Sequence, residues 1–219
     1  MPAKVNSKIL SLLRPENLVA AYTSGIFPMV ERGRCMWFDP DPRGLMPIDE
    51  RFHISRRLAR TIRSGRFICT VDRCFETIMD CCAERTEGTW ISPEIKLSYV
   101  HLHALGLAHS VEAWLADANG RPVTQDGKAR PAGGLYGVAL GGAFFAESMF
   151  HQITDAGKVA VVHLITRLRE RGYLLCDVQW TTDNLRRFGA FDLPRDEYHK
   201  LLEQAITREC HFADLSANS

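Results

Sequence analysis

The pattern of hydrophobic and polar positions is clearest between residues 134 and 180. It predicts an antiparallel hairpin, then a helix, then a further strand. Gly141 and Gly142 mark the hairpin turn. The predicted elements are strands at 134–140, 143–146 and 173–180, and a helix from about 155 to 171. This stretch is expected to form the centre of the fold.

The strand predicted at 173–180 carries two polar residues among apolar ones. Because successive side chains of a strand point to opposite faces, Asp177 and Gln179 share one face with Leu175 behind them. The opposite face is fully apolar. Two neighbouring polar groups on a central strand are costly unless they are paired or used. The pair is therefore the first candidate for chemistry, and the alternative is that it faces water on an edge or one-sided strand.

The rest of the chain gives a mixed set of shorter elements. A helix at 15–24 ends at Gly25, and two proline-interrupted apolar segments at 26–29 and 37–43 predict packed loops that form a wall. Further strands are predicted at 67–71 and 109–115, further helices at 72–83, 92–105, 182–189 and from 194, and a long hairpin loop at 118–132. The strands at 109–115, 134–140 and 143–146 are expected to form an antiparallel meander.

A strongly basic helix is predicted from Ser55 to Gly65. Arg56, Arg60 and Arg63 lie at positions i, i+4 and i+7, so they form one exposed row, called here the arginine stripe. No acidic residue lies within this row to neutralise it. A solvated helix face and a surface for phosphate contacts both remain open from the pattern alone.

Aromatic and histidine residues offer weaker signals. Trp90 precedes the helix start at Ser92-Pro93-Glu94, and it could pack against that helix or stack on a base. His109 and His163 are expected to be packed or hydrogen-bonded rather than to act as metal ligands.

Composition limits the class of protein. The 219 residues allow one large domain, or one domain with a small appendage, and 46% hydrophobic with 24% charged residues fits a folded chain. The net charge of +1 means that any nucleic-acid contact must come from a local patch. The seven cysteines include no Cys-x-x-Cys pair, so neither a metal cage nor a disulfide framework is expected. With no signal-like segment and no apolar run of the length of a membrane span, a cytoplasmic protein without membrane contact is expected.

Seven short motifs occur in an order that resembles the leucyl/phenylalanyl-tRNA–protein transferase family. The resemblance covers about residues 18 to 202, and the order of the motifs makes it specific although each motif alone is weak. The motifs are Gly25-Ile-Phe-Pro28, Trp37-Phe-Asp-Pro-Asp-Pro-Arg43, Gly88-Thr-Trp-Ile91, Ala108-His-Ser-Val-Glu112, Gly133-Gly-Leu-Tyr-Gly137, Glu147-Ser-Met-Phe150 and Asp177-x-Gln179.

The resemblance implies an α+β fold, with a small N-terminal domain (1–50) packed on a domain (51–219) similar to the acetyltransferase (GNAT) fold, which has a mostly antiparallel central sheet. It implies transfer of Leu or Phe, with Met tolerated, from aminoacyl-tRNA to the N-terminal Arg or Lys of a protein. In this family the transfer marks the protein for proteolysis in the N-degron pathway. The aminoacyl ester is already activated, so no cofactor is expected.

The resemblance also assigns roles to individual residues. It makes Asp177 and Gln179 the catalytic pair, places Glu147 at the aminoacyl end, and places Trp90 beside the terminal adenosine. The arginine stripe corresponds to the helix that meets the tRNA body. The residues expected to line a pocket for the Leu or Phe side chain are Leu135, Phe144, Met149 and Leu164.

Four positions depart from the family pattern. Met29 stands where a Trp often stacks on the adenine, so Met29 itself or a loop aromatic such as Trp37 is expected to supply that surface. Ala146 replaces a usual Gly, Gly157 replaces a Ser at the helix start, and Asn184 replaces a frequent His.

The catalytic pair is not expected to need a strong base. The α-amine of the acceptor has a pKa of about 7.7–8.0, so a usable fraction is neutral near pH 7. We expect the amide oxygen of Gln179 to accept a hydrogen bond from the attacking amine, while Asp177 orients Gln179 and takes the proton, directly or through water. An acetyl-CoA-dependent N-acetyltransferase on the same fold and a non-catalytic RNA-binding module are the alternative functions.

Overall fold

The computed structural model describes residues 5–86, 88–125 and 128–214. Both helices and strands occur along the whole of these ranges. The helices are α1 (Ser7–Leu12), α2 (Pro15–Thr23), α3 (Arg56–Arg63), α4 (Phe75–Ala83), α5 (Pro93–Ala104), α6 (Ala156–Glu170), α7 (Asp183–Arg186) and α8 (Arg195–Ile206). The strands are β1 (Phe27–Glu31), β2 (Arg34–Phe38), β3 (Arg43–Leu45), β4 (Phe67–Val71), β5 (Ala108–Leu115), β6 (Thr124–Gln125), β7 (Lys128–Ala129), β8 (Gly133–Leu140), β9 (Ala143–His151), β10 (Leu175–Gln179) and β11 (Phe191–Leu193).

Seven strands form the central sheet, in the order β11-β3-β10-β9-β8-β5-β4. Every neighbouring pair is antiparallel except β9 and β10, which are parallel and are joined by α6. The expectation of a mixed α and β fold around a mostly antiparallel sheet is confirmed, as is the meander β5-β8-β9. A parallel pair needs a crossover of the kind that α6 supplies.

Both faces of the sheet are covered, as β8 illustrates, since all of its eight residues are buried. Leu135 and Ala139 belong to one core cluster, with Leu58 of α3 and Leu164 of α6. The alternate residues of β8, Tyr136, Val138 and Leu140, belong to the other core cluster. That cluster also contains residues of α1, α2, α4, α5 and α8. The sheet therefore separates a helix layer containing α3 and α6 from one formed by the remaining long helices.

The two proline-interrupted segments near the N-terminus do not behave as predicted. Instead of packed loops, β1 and β2 form an antiparallel two-stranded sheet in which Pro28 pairs with Trp37. Proline is tolerated there because a two-stranded sheet consists of edge strands, where a missing N–H need not break a ladder.

The strand β3 lies in the central sheet between β10 and β11, so residues on both sides of the predicted boundary at 50 build that sheet. The division into domains 1–50 and 51–219 stays a prediction.

Several smaller predictions are corrected. Helix α4 begins after Cys74 rather than after Asp72, because Asp72 instead accepts hydrogen bonds from the backbone of Ser110 and from His109. Helix α1 and strand β11 are too short to give a periodic signal and were not predicted. The predicted Asp126-Gly127 turn lies outside the described residues, as do residues 215–219 of the predicted tail.

All seven cysteines are free. In the part of the chain that the structure describes, no helix is both long enough and apolar enough to cross a membrane.

Candidate active site

A cavity of about 750 Å³ lies where β9, β10, α6 and the β1–β2 sheet meet. One part of its wall is apolar and the other carries the side chains of Glu147 and Gln179. The apolar part includes three of the predicted pocket residues, and its main members are Met46, Leu135, Met149, Val161, Leu164, Ile165, Cys176, Leu185 and Phe188. The volume is of the size that holds a small-molecule ligand or an amino-acid side chain with part of its carrier.

Phe144, the fourth predicted pocket residue, is not among the described residues that line this cavity. Its ring is fully buried and stacks on Phe212 at a centroid distance of 5.0 Å. It belongs to the same core cluster as Leu135 and Leu164, so it supports the pocket wall from behind.

A β-bulge at the end of β10 sets the position of Gln179. The register of β10 against β3 shifts between Asp177, which pairs with Leu45, and Gln179, which pairs with Gly44. Gln179 has a φ of 59°, in the left-handed region that non-glycine residues rarely adopt. A Cβ at Gly44 would lie 2.7 Å from the backbone of Trp180, so this close approach requires glycine. The bulge breaks the strict alternation that placed Asp177 and Gln179 on one face.

As a result, Gln179 lines the cavity whereas Asp177 does not. The Asp177 carboxylate is fully buried and accepts hydrogen bonds from Arg43 (Nε 3.0 Å, Nη2 2.7 Å), from the Tyr198 hydroxyl (2.7 Å) and from the backbone N–H of Gln179 (2.8 Å). The expectation that both side chains are presented side by side to the cavity is therefore wrong for Asp177. Its carboxylate is already occupied by donors.

Arg43, the partner of Asp177, is also fully buried. Its guanidinium donates to the carbonyl of Gly25 at 2.7 Å and lies over the rings of Phe27 and Tyr198. This residue ends one of the family motifs, but the sequence did not indicate that it pairs with Asp177.

Glu147 is the acid that lies beside Gln179 in the cavity. Its Oε1 accepts a hydrogen bond from the Tyr22 hydroxyl at 2.6 Å and from Gln179 Nε2 at 3.4 Å, and Tyr99 donates to Oε2 at 3.5 Å. Burial raises the pKa of Glu147 to about 8; the bond from Tyr22 opposes this rise, and the charge of Asp177 adds to it. Tyr22 and Tyr99 were missed by the sequence reasoning, since their positions in α2 and α5 fit ordinary core residues.

The hydrogen bond to Glu147 also orients the Gln179 side chain. Because Nε2 is the donor to Glu147, the amide nitrogen faces the acid and the amide oxygen is left to accept a bond from another group. The site therefore contains an oriented acceptor beside an acid whose pKa is raised by burial.

Aromatic residues form another part of the cavity wall. Trp90 and Met29 line it together with Phe27 and Trp180, and the adenosine contacts expected of Trp90 and Met29 stay a prediction. Trp180, which was not predicted as a site residue, is 45% exposed and makes an edge contact with Phe27 at 5.2 Å. The available signal in the sequence was a Trp directly after the polar pair. Trp37 is not among the described lining residues.

The arginine stripe lies on α3, as expected. Arg56, Arg60 and Arg63 are exposed, and no acidic side chain of the described residues lies within salt-bridge distance of them. The neighbouring Arg57 is different, because it pairs with Asp155 at 3.2 Å. Asp155 and Lys158, at the start of α6, both line the cavity.

One group of side chains has the composition of a metal site, away from the cavity: Asp72, His103 and His109. Three of the four imidazole nitrogens already have oxygen partners, since His103 Nδ1 lies 2.8 Å from the carbonyl of Ala108, His109 Nδ1 lies 2.7 Å from Asp72, and His109 Nε2 lies 3.1 Å from the carbonyl of Gly106. These hydrogen bonds account for the group as a structural cluster.

The fold and the site together define an α and β protein with a ligand-sized cavity in which an acid and an oriented amide face an apolar wall. A family model described as leucyl/phenylalanyl-tRNA protein transferase matches residues 45–203, and a model for the N-terminal domain of the same transferase matches residues 12–41. The chain belongs to the leucyl/phenylalanyl-tRNA–protein transferase family.

Individual relatives agree with this assignment. A leucyl/phenylalanyl-tRNA–protein transferase from Herpetosiphon aurantiacus is 50% identical over 194 residues, which cover 89% of this chain and 95% of that protein. One from Rhodopseudomonas palustris is 46% identical over 219 residues, covering 97% of this chain and 92% of that protein. Among solved structures, L-PGS from Bacillus licheniformis matches with a TM-score of 0.41 and 12% identity over 78% of this chain and 52% of that chain. That score supports no assignment of fold, so the likeness to acetyltransferases stays a prediction.

Proposed function

We propose that this protein transfers Leu or Phe from aminoacyl-tRNA to the N-terminal Arg or Lys of an acceptor protein, forming a peptide bond that marks the acceptor for N-degron proteolysis. Membership of the family supports the transfer. The observation that carries the proposal is the cavity, because its apolar wall suits a Leu or Phe side chain and its polar wall suits an incoming amine. Aminoacyl-tRNA is made in the cytoplasm, where we place the protein.

The apolar wall of Leu135, Met149 and Leu164 selects the donor amino acid. Discrimination by such a pocket is modest, since one methylene is worth about 1–3 kcal/mol. Leu and Phe are favoured and Met is tolerated. Trp90, Met29 and Trp180 offer the terminal adenine a surface on the aromatic side of the cavity.

The reaction joins the acceptor nitrogen to the ester carbon and breaks the ester bond to the terminal ribose. The ribose oxygen leaves and finally carries one proton from the amine. Holding amine and ester together contributes up to about 7–11 kcal/mol to lowering the barrier in well-oriented cases. The amide oxygen of Gln179 accepts a hydrogen bond from the attacking amine and so directs its lone pair to the ester.

Glu147, and not Asp177, removes the proton from the acceptor amine. The acceptor arrives largely as an ammonium whose pKa is about 7.7–8.0. Glu147, with a pKa of about 8, is matched to remove its proton. The buried Asp177 acts as a positioning residue, because it holds the Gln179 backbone N–H at 2.8 Å and is itself held by Arg43.

The division into a small N-terminal domain and a GNAT-like domain remains part of this proposal, supported by the order β8-β9-α6-β10. An acetyl-CoA-dependent reaction is disfavoured, because residues 152–157 before and at the start of α6 include a single glycine, Gly157, and not the glycine-rich run of backbone N–H groups that would hold a pyrophosphate.

The test is to incubate the protein with tRNA charged with radiolabelled Leu and with a peptide that begins with Arg. Label is expected in the peptide, with a peptide beginning with Asp as the control. Tight acetyl-CoA binding without transfer would favour the acetyltransferase, and tRNA binding without transfer would favour an RNA-binding module.

A further inference from the structure

A row of cationic side chains connects the arginine stripe to the cavity. Arg57 lies three positions before Arg60 on α3, so the two share a helix face. The guanidinium of Arg57 lies 3.2 Å from Asp155, and the ammonium of Lys158 lies 3.5 Å from the same carboxylate. Lys158 lines the cavity. Arg57 and Lys158 therefore flank one carboxylate at the point where the surface helix α3 meets the cavity wall.

Asp155 has an unusual conformation for the residue that precedes a helix. Its φ is 72°, in the left-handed region, and its side chain makes no capping hydrogen bond with α6. Most residues that precede a helix are extended, and an Asp there usually bonds to the first N–H groups. Here the buried carboxylate contacts two cations instead. The group of Arg57, Asp155 and Lys158 keeps a net charge of +1, and both cationic side chains remain partly exposed, at 72% for Arg57 and 43% for Lys158.

We propose that Arg57 and Lys158 bind the phosphates of the single-stranded 3′ end of the donor tRNA as it passes from the arginine stripe into the cavity. This inference rests on the proposed function. If the stripe meets the tRNA body and the ester lies in the cavity, the nucleotides between them must cross the start of α6. Asp155 holds the two cations in place along that route, so it is a positioning residue.

The experiment compares donors that differ only in how much of the tRNA they contain: aminoacyl-adenosine, which has no phosphate, an aminoacylated trinucleotide that ends in CCA, and full-length charged tRNA. Wild-type protein is assayed first with all three donors. If wild-type protein transfers from none of the three donors, the proposed function is overturned. The inference about Arg57 and Lys158 is tested separately, by comparing the variants with an active wild type.

The variants are Lys158→Ala and Arg57→Ala, with Lys158→Arg as the conservative version. The ratio of kcat/KM for the trinucleotide to kcat/KM for aminoacyl-adenosine is expected to fall about tenfold in each Ala variant, because a charge-assisted contact to phosphate is lost. Lys158→Arg is expected to restore most of that ratio. Lys200→Ala, an exposed lysine on α8, removes one charge elsewhere and leaves the ratio unchanged.

Salt dependence provides an independent readout. Each lost phosphate contact is expected to flatten the plot of log affinity against log salt for the trinucleotide by about 0.7. The inference is overturned if the ratio of the two kcat/KM values stays at its wild-type value, because the side chains then act on the ester or only hold α3 against α6. An unchanged thermal melting curve for each variant excludes a folding defect as the cause of a lowered ratio.

Discussion

At the scale of single residues, the site depends on two carboxylates with different roles, the fully buried Asp177 and the partly buried Glu147. Asp177 is ion-paired and surrounded by donors, whereas Glu147 has only hydroxyl and amide partners. The difference follows from their neighbours, since a guanidinium stabilises a buried carboxylate and tyrosine hydroxyls compensate less for lost hydration. Sequence alone places both acids near the chemistry but does not distinguish them.

The raised pKa of Glu147 predicts how stability depends on pH. In the unfolded chain Glu147 has its ordinary pKa near 4.5, and in the folded protein about 8. Its contribution to stability is therefore complete below the unfolded value and is lost as pH rises from about 4.5 to about 8. Glu147→Gln should raise Tm at pH 8.5 by about 2–4 °C for each kcal/mol of stability that it recovers. At pH 4.5 the same substitution should leave Tm nearly unchanged.

Calorimetric melting curves at the two pH values check this prediction. Glu203→Gln, on the exposed face of α8, is the matched control. The same difference in Tm at both pH values would mean that Glu147 titrates normally. In transfer assays, wild type is expected to show a rise in kcat/KM as pH approaches 8, and Glu147→Gln should remove that rise.

The Arg43–Asp177 pair gives a second prediction at this scale. Both side chains are fully buried, so Arg43→Met leaves a carboxylate without its cation in the core. Loss of one partner of a buried pair costs about 3–5 kcal/mol. Urea unfolding at pH 7 measures the loss, and the double variant Arg43→Met/Asp177→Leu should recover part of it. A loss below about 1 kcal/mol in the single variant would contradict the role given to the pair.

At the scale of elements, the chain's pattern predicted most helices and most of the central strands. Strands β8, β9 and β10 and helix α6 have long periodic signals, and the structure places them within a few residues of the predicted ranges, although β9 extends beyond its prediction. The short pieces were not predictable in this way, because β3 and β11 have three residues each and pair only through distant segments.

The bulge in β10 was the most consequential feature that the pattern could not predict. An alternating sequence gives no sign of an extra residue, and the signal lies in a different strand, where Gly44 permits the close approach. Hence the sequence singled out Asp177 and Gln179 as a polar pair on a central strand, and the structure buries both of them. The sequence did not indicate that only Gln179 faces the cavity.

The positive φ of Gln179 predicts that stability and activity separate at this position. Gln179→Gly relieves a left-handed conformation that costs about 1–2 kcal/mol for other residues, whereas Gln179→Ala keeps it. The Gly variant should therefore be more stable than the Ala variant by about 1 kcal/mol in urea unfolding. Both should lose most transfer activity, because both lack the amide. Equal stability, or activity in either variant, would contradict this account of the bulge.

The arginine stripe makes a prediction for α3 as an element. Replacing Arg56, Arg60 and Arg63 with Ala should weaken binding of full-length tRNA and flatten its salt dependence by about 0.9 for each lost contact with duplex phosphates. Filter binding over a range of salt concentrations measures this, with Lys8→Ala/Lys200→Ala as a control at exposed sites elsewhere. Affinity equal to wild type at low salt would make the stripe a solvated helix face.

At the scale of the whole molecule, the first fifty residues complete the site as well as the sheet. They contribute Tyr22 to Glu147, Arg43 to Asp177, and Phe27 and Met29 to the cavity wall. The family models nevertheless divide the chain between residues 41 and 45, the interval that contains β3. The cavity is therefore built from segments that are distant in sequence. For this reason the sequence did not indicate the contacts that Tyr22 and Arg43 make with the site.

This arrangement predicts that a fragment comprising residues 51–219 does not fold on its own. Removing β3 leaves β10 and β11 without the strand between them, exposes their backbone N–H and C=O groups, and leaves the carboxylate of Asp177 without its guanidinium. We expect circular dichroism and size exclusion to show loss of cooperative melting and aggregation. A fragment comprising residues 42–219, which keeps β3 and Arg43 but lacks Tyr22 and Met29, is the informative comparison. It should unfold more cooperatively than 51–219 but remain inactive, because Glu147 loses the hydroxyl of Tyr22 and the cavity loses part of its wall. Cooperative melting of the 51–219 fragment would instead show that the predicted boundary at residue 50 separates two independently stable units.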